Sequence, residues 1–262
     1  MQRHYLAGLA ALALTGAVAP AATAQSTDWD WKGTIAAGKS IEIKGVNGSI
    51  RATAGSGSEV VVTAVKQGKR SDPSTVSIEV VNSTAGVTIC AVYPGTGKRA
   101  NSCGAGDEGR MSTNDNDVSV NFTVQVPAGV KFVGRTVNGS VSTERLGSDA
   151  DVATVNGDVR VVAAGIVRAS TVNGQIDVSM GKADWKGTVD LSTVNGSIRA
   201  TLPANFSAVV NGSTVNGGIE SEFPMTVQGK FGPRSIHGTI GSGGRTLDLE
   251  TVNGSITIAK GS

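Results

Sequence analysis

The amino-acid sequence predicts an all-β protein, a single-domain β-solenoid (β-helix-like) of short stacked coils with longer strands in its N-terminal third. Three observations predict this fold: a four-residue motif recurs, a β-branched residue follows each copy at a fixed distance, and no useful length of helical pattern follows residue 24. β-Branched residues favour strands because they pack well on a pleated surface. A motif that returns at near-constant intervals is typical of a solenoid, in which each coil stacks on the same position of the next.

The recurring motif is Thr-Val-Asn-Gly, and most copies lie roughly 20 residues apart. A degenerate copy, Ser235-Ile236-His237-Gly238, falls in the one longer gap, and Gly45-Val46-Asn47-Gly48 is an early relative. Each copy is followed by one small or polar residue and then by Val or Ile. The six verbatim copies start at Thr136, Thr154, Thr171, Thr193, Thr214 and Thr251.

Each Asn-Gly pair has two interpretations. It is a strong signal for a type I′ hairpin turn, which would give a meander. It also suits the corner of a coil, where Asn and Gly tolerate left-handed backbone angles. The regular interval favours corners, and stacked Asn side chains would then hydrogen-bond along a column at about 0.5–1.5 kcal/mol net per bond. The predicted structural corners are Asn47, Gly48, Asn138, Gly139, Asn156, Gly157, Asn173, Gly174, Asn195, Gly196, Asn216, Gly217, His237, Gly238, Asn253 and Gly254.

The interior of such a stack is expected to be thin. Val and Ile from both sides of each corner would fill it, at roughly 1.5–3 kcal/mol per buried side chain. Large aromatic side chains would not fit. A coil of this length is expected to hold about three strands of about five residues each.

The N-terminal third is less regular than the repeats. Val60, Val62 and Ala64 recur with period two, and residues 118–126 alternate apolar and polar side chains, which predicts longer strands. Trp29 and Trp31 are expected to cover the open edge of the stack. Residues 95–117, rich in Gly, Ser, Asn and charges, predict a protruding loop within the single domain of residues 25–262.

Residues 1–24 are predicted to be a cleaved signal peptide. They combine a basic start at Arg3, an apolar run over 5–18 that is too short to span a bilayer, and the small residues Ala22-Thr23-Ala24. The mature chain has no membrane-spanning stretch. We therefore expect an exported protein, periplasmic or at the cell surface or secreted.

Two cysteines, Cys90 and Cys103, predict a disulfide in that compartment. The bond would close a loop of about 14 residues and stabilise the fold by about 3 kcal/mol. Two thiols without a neighbouring His do not provide the four ligands of a structural metal site, so no metal is expected.

The net charge argues against one class of partner, and the histidine content gives little support for catalysis. A net charge of +2, from 23 basic and 21 acidic residues, argues against a nucleic-acid partner. His237, the single His after residue 24, replaces the Asn of the degenerate motif and is interpreted as a corner residue. A catalytic His would need a nucleophile and an orienting carboxylate, and no motif supplies them. No cofactor is expected.

Paired carboxylates are the remaining candidates for chemistry. Some β-helical proteins cleave polysaccharides with two carboxylates about 5–9.5 Å apart. In loops such residues are usually solvated, and Asp115-Asn116-Asp117 lacks the rest of a 12-residue calcium loop. The pairs are Asp28 with Asp30, Asp115 with Asp117, and Asp149 with Asp151.

Several segments together point to a known family. They are Trp31-Lys32-Gly33, Ile41-Glu42-Ile43-Lys44-Gly45-Val46-Asn47-Gly48-Ser49-Ile50, Val124-Gln125-Val126-Pro127-Ala128-Gly129-Val130, and the Thr-Val-Asn-Gly-x-Ile blocks. They resemble the bacterial putative-adhesin family, whose domain is also called Toastrack and is labelled as a domain of unknown function. The resemblance covers nearly all of the mature chain. It implies a β-solenoid outside the cytoplasm, links some relatives to envelope-stress sensing, and carries over no catalytic motif.

The sequence therefore predicts a non-enzymatic, adhesin-like structural or binding module of the bacterial cell envelope. Its partner would be an envelope or surface protein or a glycan, met on the outward strand faces or on the 95–117 loop. Two alternatives remain. One is a carbohydrate-active β-helix enzyme, a polysaccharide lyase or hydrolase; the other is an envelope-stress sensor that acts through a partner protein.

Overall fold

The protein is built from two long β-sheets that face each other. The computed structural model describes residues 25–95, 100–113, 115–181, 187–227 and 234–261. Within these residues the first sheet has ten strands and the second has eleven, which confirms the predicted all-β solenoid. The proposed signal peptide lies outside the described residues. Each coil that carries a verbatim motif contributes one strand to each sheet, so such a coil has two strands and the expectation of three is wrong.

The strands follow one another with no α-helix between them in the described ranges. The N-terminal part contains β1 (Gln25–Thr34), β2 (Ser40–Lys44), β3 (Ile50–Ala54), β4 (Glu59–Gly68), the 3-10 helix η1 (Pro73–Thr75), β5 (Ser77–Ser83), β6 (Gly86–Val92) and β7 (Ser119–Val126). The central coils contain β8 (Lys131–Arg135), β9 (Val141–Leu146), β10 (Ala150–Ala153), β11 (Val159–Ala163), β12 (Val167–Asn173), β13 (Ile176–Met180), β14 (Thr188–Asn195) and β15 (Ile198–Leu202). The C-terminal part contains β16 (Ala208–Asn216), β17 (Ile219–Ser221), β18 (Met225–Val227), β19 (Ser235–Ile240), β20 (Thr246–Asn253) and β21 (Ile256–Lys260).

The coils do not stack in the order of the chain. The first sheet runs β1-β4-β7-β3-β9-β11-β13-β15-β21-β17, and the second runs β18-β19-β16-β20-β14-β12-β10-β8-β2-β6-β5. Strands of successive coils pair in parallel, while hairpins such as β5–β6 and β18–β19 close the ends antiparallel. The last coil, β20–β21, is inserted between the coil β14–β15 and the coil β16–β17. The insertion decides which side chains become neighbours on the outer faces.

Alternate residues of each strand point inwards and form one continuous core. In β13, for example, Ile176, Val178 and Met180 are buried. The core also holds fully buried aromatic rings, Phe122 and Phe132, so the expectation that aromatics would not fit is wrong. Phe132 is accommodated because Gly134 has no side chain: a Cβ there would lie 3.1 Å from the ring.

Within the motif, Thr points inwards and Val points outwards. The motif threonines are 1–6% exposed, whereas five of the six motif valines are 36–55% exposed. The expectation that motif Val fills the interior is therefore wrong. Period-two alternation explains the difference, because Thr continues the inward series of Leu191 in β14 and Val194 falls on the outer face.

Each buried Thr hydroxyl donates to the carbonyl of a motif Gly in the neighbouring coil. Thr193 donates to Gly174 at 3.1 Å, and Thr251 donates to Gly196 at 2.9 Å. The same bond recurs from Thr136, Thr154, Thr171 and Thr214. The hydroxyl thus satisfies a backbone acceptor inside the stack, a role that Val of the same shape could not take.

Replacing Thr193 with Val is expected to lower the free energy of unfolding by about 1–3 kcal/mol, because the Gly174 carbonyl would lose its donor. Equilibrium denaturation with urea measures the change. Thr257→Val, on the outer face of β21, is the matched control and should stay within about 0.5 kcal/mol. Equal losses in both variants would contradict a role for the buried hydroxyl.

The motif Asn side chains form a ladder along the corner. From Asn138 onwards, each Nδ2 donates to the Oδ1 of the Asn before it in the ladder, at 2.7–2.9 Å, through six bonds. The ladder follows the order of the stacked coils and not the order of the chain, since Asn253 lies between Asn195 and Asn216. The full order is Asn47, Asn138, Asn156, Asn173, Asn195, Asn253 and Asn216.

The motif glycines allow close approach between coils. A Cβ on Gly196 would lie 1.8 Å from the carbonyl oxygen of Gly174. Positive φ occurs only at Gly48 (122°) and Gly139 (157°) among the motif glycines. Left-handed backbone is thus not the general reason for Gly at this position. The degenerate copy differs again: His237 and Gly238 lie within the antiparallel strand β19 and not at a corner.

The described part of the 95–117 segment is fastened to the second sheet. Cys90 and Cys103 are joined by a disulfide. The Lys44 ammonium donates to the carbonyls of Gly104 at 2.6 Å and Glu108 at 3.1 Å. Burial raises the pKa of Tyr93 to about 12, and its hydroxyl lies 2.8 Å from the Val118 carbonyl oxygen. That this segment is a protruding loop of a single domain remains a prediction.

Candidate functional site

A polar groove of about 460 Å³ crosses the outer face of the second sheet near its C-terminal end. It lies on β14, β20, β16 and β19, whose apolar residues, such as Leu191 and Leu247, are buried on the opposite side. Because side chains alternate along a strand, the polar residues between them face the solvent. The polar side chains that line it are Asp190, Asn211, Ser213, Ser235, His237, Asp248 and Glu250.

Strand register places one residue of each of four strands in a continuous row. Asp190 pairs with Asp248, Asp248 pairs with Asn211, and Asn211 pairs with His237. Neighbouring strands lie about 4.8 Å apart. The inserted strand β20 supplies Asp248, so the row exists in this order only because of the coil insertion.

Two hydrogen bonds fix the side chains of Asp248, Asn211 and His237 within the row. Asn211 Nδ2 donates to Asp248 Oδ1 at 2.7 Å. Asn211 Oδ1 therefore faces His237, and His237 Nδ1 donates to it at 2.5 Å. An amide oxygen only accepts, so Nδ1 of this His carries a proton. The bonds orient the amide, the imidazole and one carboxylate in advance of any ligand.

A second row runs beside the first, two residues further along β14, β20 and β16 and two residues earlier along the antiparallel strand β19. Ser192 pairs with Glu250, Glu250 with Ser213, and Ser213 with Ser235. The exposed carboxylate of Glu250 thus stands among hydroxyl groups. Together the two rows offer carboxylate, amide, imidazole and hydroxyl groups on one rigid surface.

The polar face continues towards the central coils. A hollow of about 210 Å³ there is lined by Asp151, Arg168, Ser170, Asp190 and Ser192. Arg168 pairs in register with Asp151 on one side and with Asp190 on the other. The groove is therefore the larger of two hollows on a charged and hydroxyl-bearing strip.

The model of the Toastrack family, DUF4097, matches residues 14–259. The chain belongs to the Toastrack family. This confirms the family that the sequence resembles, and no curated protein matches the Toastrack chain.

Two solved structures are similar to the Toastrack chain at low identity. A putative cell adhesion protein from Clostridium sporogenes is 10% identical with a TM-score of 0.46, and the match covers 90% of this chain and 100% of that one. A putative adhesin from Bacteroides fragilis is 14% identical with a TM-score of 0.40, with coverage of 89% and 97%.

The candidate carboxylate pairs of the Toastrack chain are scattered. Asp30 accepts a hydrogen bond from Thr63 on the first sheet. Asp149 accepts from the Ile166 amide at a turn, at 2.9 Å. Only Asp151, ion-paired with Arg135 at 2.8 Å, lies on the strip that leads to the groove.

Asp117 holds neighbouring backbone in place. It accepts from the Ser71 amide at 2.8 Å and from the Arg70 amide. The hydrogen bond from Ser71, more than the pairing with Arg70, lowers the pKa of Asp117. Both carboxylate oxygens are engaged in these bonds, which explains the residue as a structural one. Across the described ranges, no three His, Cys, Asp or Glu side chains are placed to hold a metal.

The sequence reasoning missed Asp190, Asp248 and Asn211. A signal for them was present, because each lies three residues before the Thr of a verbatim motif. Equal offsets from a stacked motif place residues in one row. In the part of the chain that the structure describes, no helix is long and apolar enough to cross a membrane.

Proposed function

We propose that the chain is a non-enzymatic, adhesin-like binding module of the cell envelope, and that it holds a glycan in the groove of the second sheet. The observation that carries this proposal is the registered row of Asp190, Asp248, Asn211 and His237. A disulfide between Cys90 and Cys103 supports a location outside the cytoplasm, where such bonds persist.

The chemistry of the groove suits a hydroxyl-rich ligand. Carboxylates accept hydrogen bonds from sugar hydroxyls, and the serine and imidazole groups can donate to ring and hydroxyl oxygens. Charge-assisted hydrogen bonds of this kind are roughly twice as strong as neutral ones. The rigid sheet holds these groups in place before binding, which limits the entropy lost on association.

Replacing Asp190 with Asn and Glu250 with Gln in one variant is expected to weaken glycan binding at least tenfold, about 1.4 kcal/mol. Neither carboxylate makes an ion pair with a described residue, so the fold should be unaffected. The matched control is Asp177→Asn with Glu220→Gln on the outer face of the first sheet. Binding to an array of envelope polysaccharides, followed by titration calorimetry, measures the difference.

The outcomes of this experiment separate the alternatives. Equal affinity for the groove variant and the control variant would place binding elsewhere. A wild-type protein that captures an envelope protein and no polysaccharide, with capture lost in the groove variant, would replace the glycan with a protein partner. That second result is the one expected of a partner-dependent stress sensor.

A second candidate function, polysaccharide cleavage, is favoured by one observation. Asp190 and Asp248 lie directly opposite each other on adjacent parallel strands. Glycosidases use carboxylate pairs about 5–9.5 Å apart. New reducing or unsaturated ends that form with the wild-type protein, and not with an Asp190→Asn/Asp248→Asn variant, would establish an enzyme. If no new ends form across a polysaccharide panel, cleavage is excluded for those substrates and the proposal of a binding module stands.

A further inference from the structure

The outer face of the first sheet carries a hollow of about 430 Å³ that is rich in arginine. Arg51 of β3, Arg145 of β9 and Arg160 of β11 line it, and we call it the arginine hollow. Arg51 pairs in register with Ser142, and Ser142 pairs with Arg160. Arg51 and Arg160 are therefore the cross-strand neighbours of Ser142, on strands about 4.8 Å from β9.

The charges in the arginine hollow are not balanced. Glu144 is its single carboxylate, and it pairs with Arg51 at 2.8 Å. Arg145 and Arg160 make no ion pair with any residue in the described ranges. Asp177 pairs in register with Arg160 on the next strand but does not line the hollow. The lining thus carries three positive charges against one negative charge.

A β-bulge directs Arg145 into the hollow. The pairing of β9 with β11 shifts register between Val161 and Ala163. Strict alternation would turn Arg145 inwards after the buried Thr143 and the exposed Glu144, yet both Glu144 and Arg145 are exposed. Arg145 has φ of 50°, a left-handed angle that is uncommon for a residue with a side chain.

On the buried side of the bulge, a hydrogen bond to a side chain compensates for a disrupted backbone bond. Thr143 Oγ1 accepts from the Val162 amide at 3.1 Å, which replaces a ladder bond that the bulge removes. Bulges recur at functional sites because they re-aim a side chain. The bulge thus adds a third arginine to the lining and concentrates positive charge in one place.

We propose that the arginine hollow binds a tetrahedral oxyanion, a phosphate or sulfate ester carried on an envelope polymer. Planar guanidinium groups match the oxygens of such anions and bind them in a bidentate manner. Arg145 and Arg160 supply guanidinium groups that are not engaged in ion pairs with described residues. Ser142, on the strand between those of Arg51 and Arg160, supplies a hydroxyl donor. A phosphate monoester dianion would neutralise the excess of two positive charges in the lining, and a sulfate ester would neutralise one of them. The site lies on the sheet opposite the proposed glycan groove and does not depend on it.

Titration calorimetry at low salt, with inorganic phosphate, inorganic sulfate, dextran sulfate and a phosphorylated dextran as probes, tests the proposal. We expect the wild-type protein to bind a charged polymer and its matching inorganic anion, and to ignore neutral dextran. The preferred group, phosphate or sulfate, is the one whose probes bind with the lower dissociation constant. Binding should weaken steeply as salt is added, because exposed charges are screened.

An Arg145→Gln/Arg160→Gln variant should lose at least tenfold in affinity with no change in melting temperature. Arg199→Gln is the matched control, since Arg199 lies on the same face but outside the hollow. Glu144→Gln should bind several-fold more tightly, because it removes the carboxylate and releases Arg51.

Three results would overturn the proposal. They are no binding of any anionic probe by the wild-type protein, an equal loss in the Arg199→Gln control, and equal binding of the carboxylate polymer polygalacturonate. The last result would show a general basic surface and not a site for tetrahedral anions.

Discussion

Gly196→Ala is expected to lower the free energy of unfolding by about 3 kcal/mol. The new methyl group would lie 1.8 Å from the carbonyl oxygen of Gly174 in the neighbouring coil. The backbone amides of Gly174 and Gly196 each donate to a carbonyl of a neighbouring coil, so neither residue can move without separating coils. The Asn195–Asn173 bond, at 2.8 Å, would be strained by the same displacement.

Urea denaturation of Gly196→Ala beside Gly218→Ala measures this effect. Gly218 follows the motif Gly217, but a Cβ on it meets no atom within 4 Å. The control should therefore change by no more than about 0.5 kcal/mol. A Gly196→Ala protein as stable as this control would show that the coils do not approach as closely as described.

Loss of the Cys90–Cys103 disulfide is expected to lower the free energy of unfolding by about 3 kcal/mol. The sequence separation of 13 residues closes a short loop in the unfolded chain. Reduction should also loosen the attachment of residues 100–113, which then depends on Lys44 and on Asn101, whose Nδ2 donates to the Tyr93 carbonyl at 2.9 Å.

Denaturation of the oxidised and the reduced wild-type protein measures this loss. The control is a Cys90→Ala/Cys103→Ser variant, whose stability should not respond to the reducing agent. Limited proteolysis should cleave residues 100–113 in the reduced protein before the sheets unfold. Identical midpoints for the oxidised and reduced wild-type protein would contradict a stabilising role for the bond.

The sequence carried enough information for the fold class but not for the details of the coil. The recurring motif and its following Val or Ile predicted stacked strands because these patterns reflect burial and periodicity. Which motif side chains face the core was harder to predict, since Thr and Val have nearly the same shape. Only the neighbouring Gly carbonyl, as at Gly174 beside Thr193, decides that the hydroxyl belongs inside.

The order of the coils could not be predicted from the motif. Identical copies present the same Thr, Asn and Gly to any neighbour, so the copy at Thr251 fits beside Thr193 as well as beside Thr214. The antiparallel strand β19, formed by the degenerate copy, takes the chain away from the stack before the last coil returns. The neighbours within the candidate groove could not be predicted for this reason: the equal offsets place Asp190 and Asp248 in one row, but only the coil order makes them adjacent.

The insertion of the last coil, which assembles the groove, is tested most directly by cross-linking engineered cysteines. Ser192 of β14 pairs in register with Glu250 of β20, while Ser213 of β16 lies one strand further away. Disulfides need Cα atoms within about 7 Å, which adjacent strands satisfy and second neighbours do not. We predict that Ser192→Cys/Glu250→Cys forms a disulfide under mild oxidation and that Ser192→Cys/Ser213→Cys stays reduced. The reverse pattern, read by mass spectrometry of proteolytic fragments, would contradict the inserted coil and the groove built on it.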